Sequence, residues 1–158
     1  MEDLFRSYLG ILGELSGTLD RLTPLARQKV EAVRADDLLA LDEVLKQEQA
    51  LALSLRGLEL KRQKLVPQLG LDNVPLSRLH EHCPPQLSNE TRKAAAALRE
   101  SYEIYRGYAD MVRNTLELNL HQIDKLLTEA GVDPKLAAQG YEAPPMEPPQ
   151  KMKTDFRA

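Results

Sequence analysis

Residues 38–69 read LLALDEVLKQEQALALSLRGLELKRQKLVPQL, and the spacing of their apolar side chains decides the fold. Val44, Leu51, Leu55, Leu58, Leu65 and Leu69 fall three, four or seven apart, so at helical pitch they share one face. Almost no breaker interrupts the run before Pro67. Glu48 and Arg62 stand where the seam calls for apolar side chains, and Glu59, three residues before Arg62, can pair with it on one face. A long helix with a single apolar stripe is not stable alone in water and needs partner helices.

The chain on either side supplies them. Toward the N-terminus, Leu4, Tyr8, Ile11, Leu15, Leu19, Leu22, Ala26, Val30 and Val33 step by three or four, which predicts a first helix over residues 3–34. Gly10, Gly13 and Gly17 interrupt it, each at about 1 kcal/mol relative to Ala in a helix interior. They mark either a close backbone approach by a partner or glycines tolerated in a helix held by its neighbours. Pro24 lacks an amide hydrogen and is expected to kink or restart the helix, with Thr23 as a cap. Asp36 and Asp37 can cap the second helix, over 36–69. The two seams favour a hairpin there.

Toward the C-terminus, residues 70–87 form a connector. Asn73-Val74-Pro75 can open a short helix with Pro75 in its first turn, and Pro84-Pro85 cannot continue it. Ser88 and Asn89 are good N-caps for a third helix over 88–130. Its seam is Leu98, Ser101, Tyr105, Tyr108, Val112, Thr115, Asn119, Ile123 and Leu126, and Gly131 stops it. At roughly 60 Å it is long enough to lie along both earlier helices. After a short piece ending at Gly140, prolines 144, 145, 148 and 149 predict a flexible or extended tail over 141–158. That tail carries Tyr141, Met146, Met152 and Phe156, either as anchors of a short binding segment or as a solvated terminus. The expected architecture is an all-α, coiled-coil-like antiparallel bundle of three long helices in one domain, residues 1–140, followed by the tail.

Composition agrees with a bundle. Aromatic residues are 4% of the 158, with no Trp, while charged residues are 28%. Leu and Ala must therefore build a narrow seam rather than a thick core. A net charge of −3 is too small to steer the chain to nucleic acid or acidic lipid. The single Cys83 excludes an internal disulfide and fits a reducing cytosol. The acidic start MEDLFRSYLGILGELSG has no basic n-region, and no apolar run is long enough to span a bilayer, so no stable membrane insertion is expected.

No catalytic constellation stands out, and neither enzymatic activity nor a cofactor is expected. His80-Glu81-His82-Cys83 has metal-ligating side chains but no spaced second pair, and His121 stands apart. The plain reading is a polar connector with an incidental thiol. Glu48, Glu59 and Arg62 read better as a polar layer that sets helix register than as an acid–base set, with Thr115 and Asn119 as its match on the third helix. Tyr102, Tyr105 and Tyr108 lack the surrounding basic residues that base stacking requires, and read as core.

Taken together, these stretches resemble the FlgN family of bacterial flagellar export chaperones. Gln28-Lys29 through Asp36 leads into Leu41, Val44, Leu45, Glu48, Leu55, Leu58, Glu59 and Arg62, similar to the family's L-x-x-L…E…L-x-x-L-E-x-x-R stretch. The connector is of similar size. Residues 114–127, NTLELNLHQIDKLL, resemble the Asn- and Leu-rich end of the family's last long helix. The resemblance runs from about residue 4 to 141. It implies a cytoplasmic chaperone without enzymatic activity, with clients of FlgK and FlgL type and delivery to an export gate protein of FlhA type. By position it implies client contacts at Asn119, Ile123, Leu126, Leu127 and Leu136, and a gate contact at Tyr141.

The residues themselves point to the same end of the third helix. Leu116, Leu118, Leu120, Ile123, Leu126 and Leu127 do not fit one narrow stripe: Leu116, Ile123 and Leu127 are expected on one side, with Leu118 and Leu120 well round from it. A helix apolar on more than one side needs more than one partner. The bundle is expected to cover one side and a client helix the other, Leu118 and Leu120 included; in the client's absence, the tail or a second copy would serve. A client-free coiled-coil spacer or scaffold is the competing reading, although a spacer has no use for apolar residues on a Pro-rich tail.

Overall fold

The computed structural model describes residues 1–131. Three long helices, α1 (Glu2–Arg34), α2 (Leu38–Gln68) and α3 (Ser88–Glu129), account for most of them, and the described residues contain no strand. Two 3-10 turns, Leu76–Glu81 and Pro85–Leu87, lie in the connector. The expected tail, with Leu136 and Tyr141, lies outside the described residues.

The α1–α2 junction is a tight reversal. Asp36 adopts φ 51°, in the left-handed region, and the Asp37 amide donates to the Ala32 carbonyl at 3.0 Å. This closes α1 with a Schellman-type end in which aspartate takes the place usually held by glycine. The Asp37 side chain then accepts from the Ala40 amide at 3.1 Å and caps α2, which therefore begins at Leu38 rather than at residue 36. The same device ends α2, with Gly70 at φ 66° and Leu71 bonded back to Val66. There it delivers the buried Leu71 into the core.

Several local expectations are corrected. Pro24 does not restart α1, which runs unbroken through it. The Thr23 hydroxyl donates to the Leu19 carbonyl one turn back instead of capping. The lost amide bond is outweighed because α1 is packed along two sides. Pro75 precedes its 3-10 turn, and α3 starts from the second 3-10 turn with no side-chain cap from Ser88 or Asn89.

The core is organised around α1, which packs along both α2 and α3; α2 and α3 make no comparable approach to each other. The third helix therefore does not lie along both earlier ones. Tyr8 reaches Arg62 and Lys29 reaches Glu48, so α2 runs antiparallel to α1. Arg6 meets Glu90 near one end and Val112 packs on Ala26 and Val30 near the other, so α3 runs parallel to α1. Phe5, Tyr8, Leu12, Leu15, Leu19 and Leu22 of α1 meet Leu55, Ala95 and Leu98. The connector contributes fully to this core: Leu71, Leu76, Leu79 and Leu87 are all buried. Burying each such leucine is worth about 1.5–3 kcal/mol.

Candidate functional site

Parallel helices of unequal length leave an overhang. Val112 is the last buried residue of α3, and its partners Ala26 and Val30 lie in the last turns of α1, which ends at Arg34. From Arg113 to Glu129, α3 continues for roughly 25 Å past this contact. Its backbone is closed at the far end by Gly131 at φ 80°, whose amide donates to the Thr128 carbonyl.

The overhang is apolar and uncovered. Leu118, Leu120, Ile123 and Leu126 are 64, 61, 51 and 64% exposed, and Leu116 is 42% exposed. Asn119 and Leu127 are half-buried. The expectation that the bundle covers one side of this segment is corrected: among the described residues both sides are open, because α1 ends at Arg34. Leu118 and Leu120 also do not share a face. Two residues apart at 3.6 per turn, they point about 160° from each other. Leu116, Leu120, Ile123 and Leu127 continue the face that α3 buries against α1, whereas Leu118 lies to the side with Ile104 and Met111, both half-exposed. Leu116, Ile123 and Leu127 share one side, as their spacing predicts, but Leu120 belongs with them rather than with Leu118.

The proposed polar layer divides in two. Glu59, only 5% exposed, accepts two bonds from Arg62, at 2.9 and 3.0 Å, and one from Gln63. The Arg62 guanidinium also donates to the Tyr8 hydroxyl at 3.3 Å. Burial works against the Arg62 charge, but the Glu59 carboxylate and Tyr8 outweigh it and raise its pKa above the ordinary range. Glu48 is not part of this cluster. It lies three helical turns away and bridges to Lys29 of α1 at 2.7 Å. There it faces Tyr105, whose phenol pKa is raised by burial and then by the Glu48 charge. Thr115 and Asn119 supply no matching layer: the Thr115 hydroxyl donates to the Met111 carbonyl of its own helix. Sequence spacing alone missed Tyr8 and Lys29, because their partners are more than fifteen residues away in the chain.

Elsewhere, an open groove of about 400 Å³ lies between the first 3-10 turn and α3, lined by His80, Arg92, Ala95, Ala96 and Arg99, with Arg99 held by Glu103. The Cys83 thiol points at the His80 carbonyl at 3.1 Å. No three His, Cys, Asp or Glu side chains among the described residues are placed to hold a metal ion. No helix among them is long and apolar enough to cross a membrane.

The arrangement is thus a helical bundle with a projecting apolar helix end, a surface of the kind that can take another helix. The family model described as FlgN protein matches residues 1–141. No curated protein and no solved structure matches the chain.

Proposed function

Because the chain belongs to the FlgN family of flagellar chaperones, we propose that it binds hook–filament junction proteins of FlgK and FlgL type in the cytoplasm and keeps them from assembling early. It then delivers them to an export gate protein of FlhA type. The observation that supports this reading is the overhang of α3, an apolar helix end that no other described residue covers. A client's amphipathic helix exposes a face that would otherwise aggregate or polymerise, and an open helical seam can bury it through anchors three and four residues apart. Leu118, Asn119, Leu120, Ile123, Leu126 and Leu127 are the client contacts in this reading, with Leu116 added to them. Leu136 joins them and Tyr141 serves the gate, both outside the described residues. Residues 1–140 act as one helical domain. Glu59 with Arg62, and Glu48 with Lys29, fix the register of α2 on α1 in this reading.

The test is calorimetry with a FlgK-type C-terminal segment. Leu120→Asp combined with Ile123→Asp should keep the helical content and weaken binding by about ten-fold or more, the size of a lost hot spot. Full affinity in this variant would rule the overhang out as the client site.

A further inference from the structure

The seam on the overhang has an uneven rim. At 3.6 residues per turn Leu116, Leu120, Ile123 and Leu127 fall within an arc of about 60°. Their four-three-four spacing is that of a two-helix coiled coil. Glu117 and Asp124, seven residues apart, lie on one flank of this seam; Asn119 and Leu126 lie on the other. On the same helix Glu103 is matched by Arg99 and Asp110 by Arg113, while Glu100 forms no ion pair among the described residues; what sets Glu117 and Asp124 apart is their place on the rim of the open seam. Glu117 and Asp124 form no ion pair among the described residues. Arg113, one turn before Glu117, is held by Asp110 at 2.8 Å, and His121, one turn after Glu117 and one turn before Asp124, forms no ion pair with either among the described residues.

We propose that the occupant of this seam is a single amphipathic helix whose apolar stripe is flanked, on the side meeting Glu117 and Asp124, by two lysines or arginines about seven residues apart. The inference rests on the reading of the overhang as the client face, and adds the chemistry of what that face selects. Opposite charges across a rim contribute to encounter rate and register more than to raw affinity, and they disfavour partners of the wrong sign. Two unmatched acids on one flank therefore select both the partner's charge and the side on which it lies.

The same two acids argue against a second copy of the chain as occupant. Pairing two overhangs in parallel makes the bundles collide, because each α1 already covers the same face of α3 up to Val112. Antiparallel pairing avoids that and aligns Leu116 with Leu127, and Leu120 with Ile123, of the other copy. It also sets Glu117 beside Asp124 of the other copy, twice, and like charges so placed oppose association.

The experiment uses two synthetic helical peptides with one leucine and isoleucine seam, carrying either lysine or glutamate at the two flanking positions. Each is titrated into the full chain by fluorescence anisotropy. The lysine peptide should bind about three- to ten-fold tighter, the size expected of two exposed ion pairs. The preference should fade at about 0.5 M salt, where the screening length falls to a few ångströms. Glu117→Lys with Asp124→Lys, both on an exposed helix surface and compatible with helix, should reverse it. Equal affinities, or a preference that survives the double lysine variant, would overturn the inference. If that unselective binding is still lost in the Leu120→Asp, Ile123→Asp variant, the client face stands without its charge selectivity. Binding of neither peptide removes the face and the inference together. A concentration-dependent dimer of the unliganded chain that dissolves in the Leu120→Asp, Ile123→Asp variant would make the second copy the occupant, and would overturn it as well.

Discussion

The first part of α3, from Ser88 to Val112, and the last, from Arg113 to Glu129, carry the same kind of apolar pattern and have opposite fates. In the first, Thr91, Ala95, Leu98, Ser101 and Val112 are buried. In the second, nothing is, although its leucines are more numerous. The difference is not in α3 but in the length of α1, which ends at Arg34 and leaves the seam uncovered. Amphipathic spacing shows that a face wants a partner; whether the partner lies in the same chain depends on how far the neighbouring helix reaches.

Side-chain truncation should separate the two parts most widely. Leu98→Ala removes a side chain that is fully buried and should cost about 2–5 kcal/mol, lost burial plus an unfilled cavity. Ile123→Ala removes a half-exposed one and should stay within about 0.5 kcal/mol. Urea denaturation of the two variants measures the contrast. A cost at Ile123 close to that at Leu98 would mean that the overhang is core, covered by something in the same chain.

That distinction explains what was legible in the sequence and what was not. Three long helices are written in three-and-four spacing, and the hairpin follows because two apolar seams need each other; the reversal itself, with Asp36 in the left-handed region at a junction without Gly or Pro, is not legible there. Pro24 was misleading because a local propensity yields when packing holds a helix on two sides. The connector reads as polar and turn-rich, yet Leu71, Leu76, Leu79 and Leu87 in it are core, and only their recurrence hints at this. Glu48 seemed to belong with Glu59 and Arg62 because all three break one stripe. They meet different residues of α1, and spacing within α2 carries no information about that. Residues 114–127 are marked by their leucines as needing a partner, and Leu116, Ile123 and Leu127 group on one side from spacing alone; Leu120 joins them once the seam is followed from Val112, its last buried member.

A second, smaller effect tests what holds α2 on the packed side of this comparison. Arg62→Ala leaves the buried Glu59 carboxylate with Gln63 as its remaining partner and removes a donor from Tyr8. Hydrogen bonds to charged groups are worth about 1.5–3 kcal/mol when a buried partner is left behind, so a loss of about 2 kcal/mol is expected. Client affinity should hold, because the overhang lies toward the other end of the bundle. Unchanged stability with lost client binding would move this cluster from register to recognition.

The smallest expected effect decides whether α1 has an open face of its own. Gly10, Gly13 and Gly17 lie on its solvent side, and a Cβ placed on any of them meets nothing within 4 Å. No packing within the chain requires them, so their cost in helix propensity is either simply tolerated or serves the approach of a partner. Gly13→Ala discriminates the two. In an exposed helical site the substitution should stabilise the chain by about 0.4–1 kcal/mol, mainly by restricting the unfolded state. A thermal melt reads that gain, and calorimetry with the same FlgK-type segment reads the other half. A gain in stability with client affinity unchanged confines recognition to the overhang of α3. The same gain with weakened binding would mean that the added methyl obstructs a partner lying against α1, and that the surface offered to clients extends over the outer face of the central helix.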